Sequence, residues 1–123
     1  MSTTELDHQD RQQMPLTLYG LKNCDTCKKA LKSLEAAGKS VTFVDIRADA
    51  DLAALVPVWL GAAGPDTLIN RRSTTWRTLS EAERETDPEA LLTANPTLIK
   101  RPVIEADEAV YVGWAKDTQG ALL

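Results

Sequence analysis

Cys24 and Cys27 are the only cysteines in the chain, and the stretch around them, LTLYGLKNCDTCKK over residues 16–29, carries the clearest chemical signal. A short apolar run through Leu16, Leu18 and Tyr19 ends at Gly20, and Cys24-Asp25-Thr26-Cys27 then opens a segment rich in Lys and Ala. A cysteine at the start of a helix lies beside free backbone amides and the positive end of the helix dipole, and both favour a thiolate over a thiol. Cys24 is therefore expected to have a depressed pKa, with Lys22 and Lys28 adding positive charge nearby. Three residues on, one helical turn below, the second sulfur falls within disulfide reach. Cys24 is the candidate attacking thiolate and Cys27 the candidate resolving thiol, which would release a mixed disulfide by forming an internal one. Half of a structural zinc site is the competing reading. The only histidine is His8, near the N-terminus, so four ligands cannot readily be gathered from one chain.

Arginines supply the second signal. Arg71, Arg72 and Arg77 fall in the basic stretch NRRSTTWR, residues 70–77, and Arg101 directly precedes Pro102. Surface arginines usually form a solvated face. Arg101 is different, because Pro102 opens a strand, and a cis proline there would lie against the active cysteine and bring its neighbour to the same site. A planar guanidinium there can bind an oxyanion or a carboxylate through two parallel hydrogen bonds. Arg101 and Pro102 are accordingly candidate substrate-binding residues, and Arg72 is a third candidate for which a solvated loop face is an equal alternative. Trp59, Trp76 and Trp114 read as packing residues, and Trp76, inside the basic stretch, is the one placed to line a pocket.

The elements that must position these groups follow from pattern. A strand over residues 16–19 precedes a helix capped by Asn23 or Cys24, with Asp25 in its first turn where the dipole favours negative charge. Cys27, Leu31, Leu34 and Ala37 form its apolar stripe, and Gly38 supplies a left-handed stop. VTFVDI, residues 41–46, is a strand of β-branched and aromatic type, so strand, helix and strand make a βαβ unit with parallel strands. A second helix, capped by Asp49 or Asp51, presents Leu52, Leu55, Val56, Trp59 and Leu60 at helical spacing. Pro57 is expected to kink or restart it, and residues 61–64 to break it. Pro65 starts a short helix through Asn70. Residues 70–77 read as a loop, Ser80 to Glu83 as a capping box, and Asp87-Pro88 as the start of a helix that Asn95-Pro96 ends. Residues 103–106 and 109–112 form an antiparallel hairpin with a turn at Asp107-Glu108, and the tail from Lys116 holds at most a short helix. The sum is a thioredoxin-like (glutaredoxin-like) α/β fold with a mixed four-stranded sheet and a helical insertion. Residues 1–14 are polar and read as a flexible leader before a single domain spanning residues 15–123.

Composition narrows the setting. With 43% hydrophobic and 26% charged residues over 123 positions, the chain suits one globular domain. Fourteen basic against eighteen acidic residues give a formal charge of −4, which argues against a general attraction to nucleic acid or acidic membranes. No apolar run approaches a membrane span or a signal peptide, and a bacterial-type cytoplasm is the natural reading. In that compartment a Cys-x-x-Cys pair at a strand-to-helix junction reads as a redox-active dithiol.

The motifs YGLKNCDTCKKA (19–30), NRRSTTWRTL (70–79), IKRPV (99–103) and YVGW (111–114) resemble the arsenate reductase ArsC / Spx / YffB family, and most of all its YffB-type branch. The resemblance covers about residues 15–116 in order. It implies a thiol-dependent reductase without a bound cofactor, coupled to glutathione or to a glutaredoxin or thioredoxin, with Cys24 as nucleophile and Arg72 and Arg101 close to it. Arsenate would be an oxyanion substrate of such a site. The pattern departs from arsenate reductases proper, which carry a further arginine after the final strand where this chain has Val112-Gly113-Trp114. The Cys24-Cys27 pair is instead shared with Spx-type regulators, for which the implied partner is RNA polymerase. Those regulators extend through a longer C-terminal helix than residues 116–123 can hold.

Overall fold

A computed structural model describes residues 15–106 and 109–123. The leader over residues 1–14 and the turn at Asp107-Glu108 lie outside the described residues. Strand β1, Pro15–Gly20, leads into helix α1, Asp25–Ala36, and strand β2, Ser40–Asp45. Five short helices follow: α2 (Leu52–Ala63), α3 (Pro65–Leu68), α4 (Thr74–Thr78), α5 (Glu81–Arg84) and α6 (Pro88–Ala94). A 3-10 turn, Pro96–Leu98, precedes the hairpin of β3 (Val103–Ala106) and β4 (Ala109–Val112), and α7, Lys116–Leu122, closes the chain. The sheet order is β2-β1-β3-β4, with β1 parallel to β2 and antiparallel to β3. This is the mixed, thioredoxin-like sheet expected from the sequence, with α2 to α6 as its insertion. None of the described helices is long and apolar enough to cross a membrane.

Alternation along the central strands gives the sheet two apolar faces. Leu16 and Leu18 of β1 and Ile104 and Ala106 of β3 pack with Cys27, Ala30 and Leu34 of α1 and Leu122 of α7. Tyr19 and Val103 face the other way, onto Leu52, Val56 and Trp59 of α2 and Leu91 and Leu92 of α6. The α1 stripe therefore uses Ala30, whereas Ala37, predicted to continue it, is exposed at the helix C-cap. Leu122 is buried, so the tail helix is part of the core.

The insertion departs from expectation in three places. Helix α2 runs unbroken through Pro57. Pro57 and Ala53 both lie on the exposed face, so the carbonyl that Pro57 leaves without its usual partner meets water rather than core. Gly61 stays helical, and the break comes at Gly64 with φ +84°. Helix α3 stops at Leu68 rather than Asn70, because Ile69 turns extended and bridges Ile99. The predicted loop at 70–77 contains α4, whose start is fixed by Ser73 accepting a hydrogen bond from the Trp76 amide at 3.1 Å. The capping box at Ser80 and Glu83 forms with both hydrogen bonds.

Glu105, on the α2 side of the sheet, ties the layers together. Its carboxylate accepts from the Tyr19 hydroxyl at 3.1 Å and from the Trp59 indole N–H at 3.0 Å, while the two rings meet edge to face at 4.9 Å. Burial, then the Glu105 charge and hydrogen bond, push the Tyr19 hydroxyl up to about 12. The folded value exceeds the ordinary value of about 10, so this contribution to stability is intact below pH ~10 and is lost as pH rises toward 12. Glu105→Ala leaves both donors without an acceptor and is expected to cost about 2–4 kcal/mol, read as a lower urea midpoint at pH 7. A midpoint equal to wild type would exclude this role.

Candidate functional site

The site forms where β1 ends and α1 begins. Cys24 is the N-cap residue of α1, in extended conformation, with its amide donating to the Leu21 carbonyl at 3.1 Å. Its sulfur makes no side-chain capping bond of ordinary geometry, which leaves it half-buried and available at the helix tip. Cys27, one turn later, is fully buried against β1. Both cysteines are free thiols.

Gly20 makes that burial possible. A Cβ at position 20 would stand 2.5 Å from the Cys27 sulfur and 3.1 Å from its Cβ, so only a bare backbone lets the second thiol sit this close to the strand. In the sequence Gly20 reads only as the end of a strand, and the contact with Cys27 emerges from the fold. The available signal was a glycine preceding a Cys-x-x-Cys loop.

Arg101 reaches the same place from the far side of the chain. Lys100 donates its amide to the Leu68 carbonyl, and Asn70 donates to the Leu98 carbonyl, both at 2.8 Å. This bridge between the insertion and the residues before β3 fixes the approach to Arg101. The Arg101-Pro102 peptide is cis, as expected, and Pro102 is buried, its carbonyl accepting from the Gly113 amide at 2.8 Å. The Arg101 guanidinium donates from Nη1 to the Thr97 carbonyl at 3.3 Å, while its buried Nε has no hydrogen-bond partner among the described residues.

These placements separate the two thiols electrostatically. For Cys24, partial burial works against the thiolate but is outweighed by the Cys27 amide and thiol and by the charge and N–H groups of Arg101, so its pKa is lowered. Burial pushes the Cys27 thiol up to about 12, with the neighbouring Cys24 adding to the rise. Arg101 supplies the leading charge among the groups that lower the Cys24 pKa, and Lys22 helps to lower the pKa of Asp45. Replacing the guanidinium in Arg101→Gln is therefore expected to move the pH profile of Cys24 alkylation upward and to slow it severalfold at neutral pH. An unchanged profile would remove Arg101 from the activation of Cys24.

The other expected site residues divide. The structure brings Cys24, Cys27 and Arg101 together beside Pro102. Arg72 is exposed and lines a neighbouring cleft with Asp66, Asn70, Arg71 and Lys100. Arg71 pairs with Asp66 at 3.2 Å. Trp76 is packed beneath the Arg71 and Arg84 guanidiniums, at 5.5 and 5.0 Å from its ring centre, and so serves packing. Among the described residues, no group of three or more His, Cys, Asp or Glu is arranged to hold a metal.

Comparison with known proteins is consistent with this geometry. The model of the ArsC family matches residues 19–122. A protein of Haemophilus influenzae is 43% identical over 112 residues, covering 86% of this chain and 97% of its own length. Among solved structures, the YffB protein superposes with a TM-score of 0.76 at 36% identity, over 88% of this chain and 98% of its own. An arsenate reductase (ArsC) related protein from Brucella melitensis does so with a TM-score of 0.70 at 37% identity, over 88% of this chain and 93% of its own.

Proposed function

This chain belongs to the ArsC family, and on that premise we propose that it is a thiol–disulfide oxidoreductase in which Cys24 attacks and Cys27 resolves, with glutathione or a small thiol-carrying redox protein as reductant. The observation that carries this reading is the opposite displacement of two thiols within one turn, Cys24 lowered and half-buried at the helix tip, Cys27 raised and fully buried. Of the two thiols Cys24 ionises first, and its thiolate attacks one sulfur of a substrate disulfide. The other sulfur leaves as a thiolate, and Cys24 holds the first as a mixed disulfide.

Resolution follows from the same charges. Once Cys24 is bonded, its negative charge no longer acts on Cys27 and its sulfur no longer holds the Cys27 proton. Burial still opposes ionisation, while the backbone at Leu21 and the Arg101 charge continue to favour a thiolate at Cys27. Cys27 then attacks Cys24, its proton passing to the departing thiol, and two equivalents of external thiol restore the reduced pair.

One observation favours a second reading, arsenate reduction. A guanidinium beside the N-terminus of a helix of 12 residues is suited to an oxyanion, and here that guanidinium is Arg101. Cys24 would displace water from arsenic, and a thiol attacking the Cys24 sulfur would break the S–As bond, releasing arsenite and leaving the two sulfurs as a disulfide. Side-by-side assays of arsenate reduction and of a glutathione mixed disulfide, on one preparation, decide between them. We expect the disulfide to be turned over. Turnover of arsenate alone would replace the first reading with the second, and no turnover of either would remove both.

A further inference from the structure

The helix face that starts at Cys24 leads into an apolar hollow. Cys24, Lys28 and Leu31 follow one another at spacings of four and three, so they line up along one side of α1. Leu21, Lys22, Lys28, Leu31 and Phe43 enclose a hollow of about 180 Å³. Its floor is the half-buried side chains of Leu21, Leu31 and Phe43, and its rim is the exposed Lys22 and Lys28. Phe43 comes from β2, the strand at the sheet edge. Thiol exchange at Cys24 uses none of these side chains.

Charge and distance indicate the occupant. Residues 20–48 hold six Lys or Arg against three Asp or Glu, in a chain whose formal charge is −4. This region is thus locally basic on an acidic protein, and Lys28 makes no ion pair among the described residues. Helical rise puts Lys28 and Leu31 roughly 6–10 Å along the axis from Cys24. An extended peptide covers that span in about two to three residues. Glutathione has no apolar side chain to fill such a hollow.

We propose that the hollow receives an apolar side chain of a disulfide-bearing protein substrate, two to three residues from the cysteine that Cys24 attacks, with an adjacent acidic residue meeting Lys28 and Lys22. This names the substrate class and rests on the thiol–disulfide reading above. The substrate disulfide gains two electrons and leaves as two thiols, the Cys24-Cys27 pair is oxidised to a disulfide, and low-molecular-weight thiol returns the pair to its reduced form. The apolar residue sets the affinity, and the acidic neighbour sets the orientation and the encounter rate.

The test is single-turnover oxidation of the full reduced chain by three disulfides, followed by mass spectrometry. The first is a cystine-linked peptide with Leu two residues after its cysteine and Glu beside that Leu. The second has Gly and Lys at those places, and the third is hydroxyethyl disulfide. The first peptide is expected to react about tenfold faster than the second. High salt and Lys28→Glu are expected to shrink that ratio severalfold, and Phe43→Ala to remove the preference for Leu. Lys28 is exposed, so its variant reads the ratio without disturbing the core. Equal rates for the two peptides, with hydroxyethyl disulfide still reduced, would overturn the docking proposal and leave the thiol–disulfide reading standing. Failure of all three disulfides to oxidise the protein would overturn that reading and this proposal with it.

Discussion

Cys24→Ser is expected to abolish disulfide turnover, lowering kcat/KM by at least about a thousandfold, because a serine hydroxyl stays protonated where the Cys24 thiol ionises. The neighbouring Cys27 cannot take over. Burial, the largest cause of its raised pKa, persists in the variant, and the wall that buries it, Gly20 on β1, also keeps it from solvent. In the wild type, iodoacetamide at neutral pH should label Cys24 alone, and in Cys24→Ser it should label almost nothing until the protein unfolds. Cys27→Ser should behave differently. The first attack survives, so mass spectrometry should find a mixed disulfide accumulating on Cys24, with the slower turnover that remains depending on external thiol concentration. If Cys24→Ser kept its turnover, or if Cys27 were labelled first, the roles of the two sulfurs would have to be exchanged.

The unequal placement of the two sulfurs was legible in the sequence because it depends on local facts. A cysteine at a helix start, a second one turn later on the apolar stripe, and Gly38 as a stop are all readable within residues 20–38. The cis proline before β3 was readable too, since strand, helix, strand and hairpin follow one another with recognisable periods. What escaped was contact between segments far apart in the chain. Glu105 is an ordinary polar position in a strand until Tyr19 and Trp59, 86 and 46 residues away, both donate to it. Lys22 and Lys28 are close to Cys24 in sequence, yet the leading charge on its sulfur is that of Arg101, in a segment tied to the insertion by the bridge between Ile69 and Ile99. Helix α4 escaped for a different reason. It is five residues long and carries no apolar period, and a single serine cap with a turn of hydrogen bonds is enough to form it.

Gly20→Ala is expected to cost about 1–3 kcal/mol in stability, a large effect for one added methyl group, because the methyl lands on the Cys27 sulfur rather than in open space. The position is not special for its backbone, which is regular strand, so the cost should come from the contact alone. A double-mutant cycle with Cys27→Ala isolates it. With the sulfur gone, the new methyl still meets the Cβ of residue 27 at 3.1 Å and Leu18 at 3.4 Å, so a residual cost is expected, but most of the penalty should vanish. The coupling should reach about 1 kcal/mol or more, and additive effects would exclude the contact as its source. The same substitution should also act on the chemistry. Any movement of the Cys27 sulfur off Gly20 changes its hydrogen bond to Cys24, and that bond is one of the groups lowering the Cys24 pKa. The pH profile of Cys24 alkylation in Gly20→Ala should therefore shift, whereas a strand defect that left the two sulfurs in place would lower the urea midpoint and leave the profile where it was.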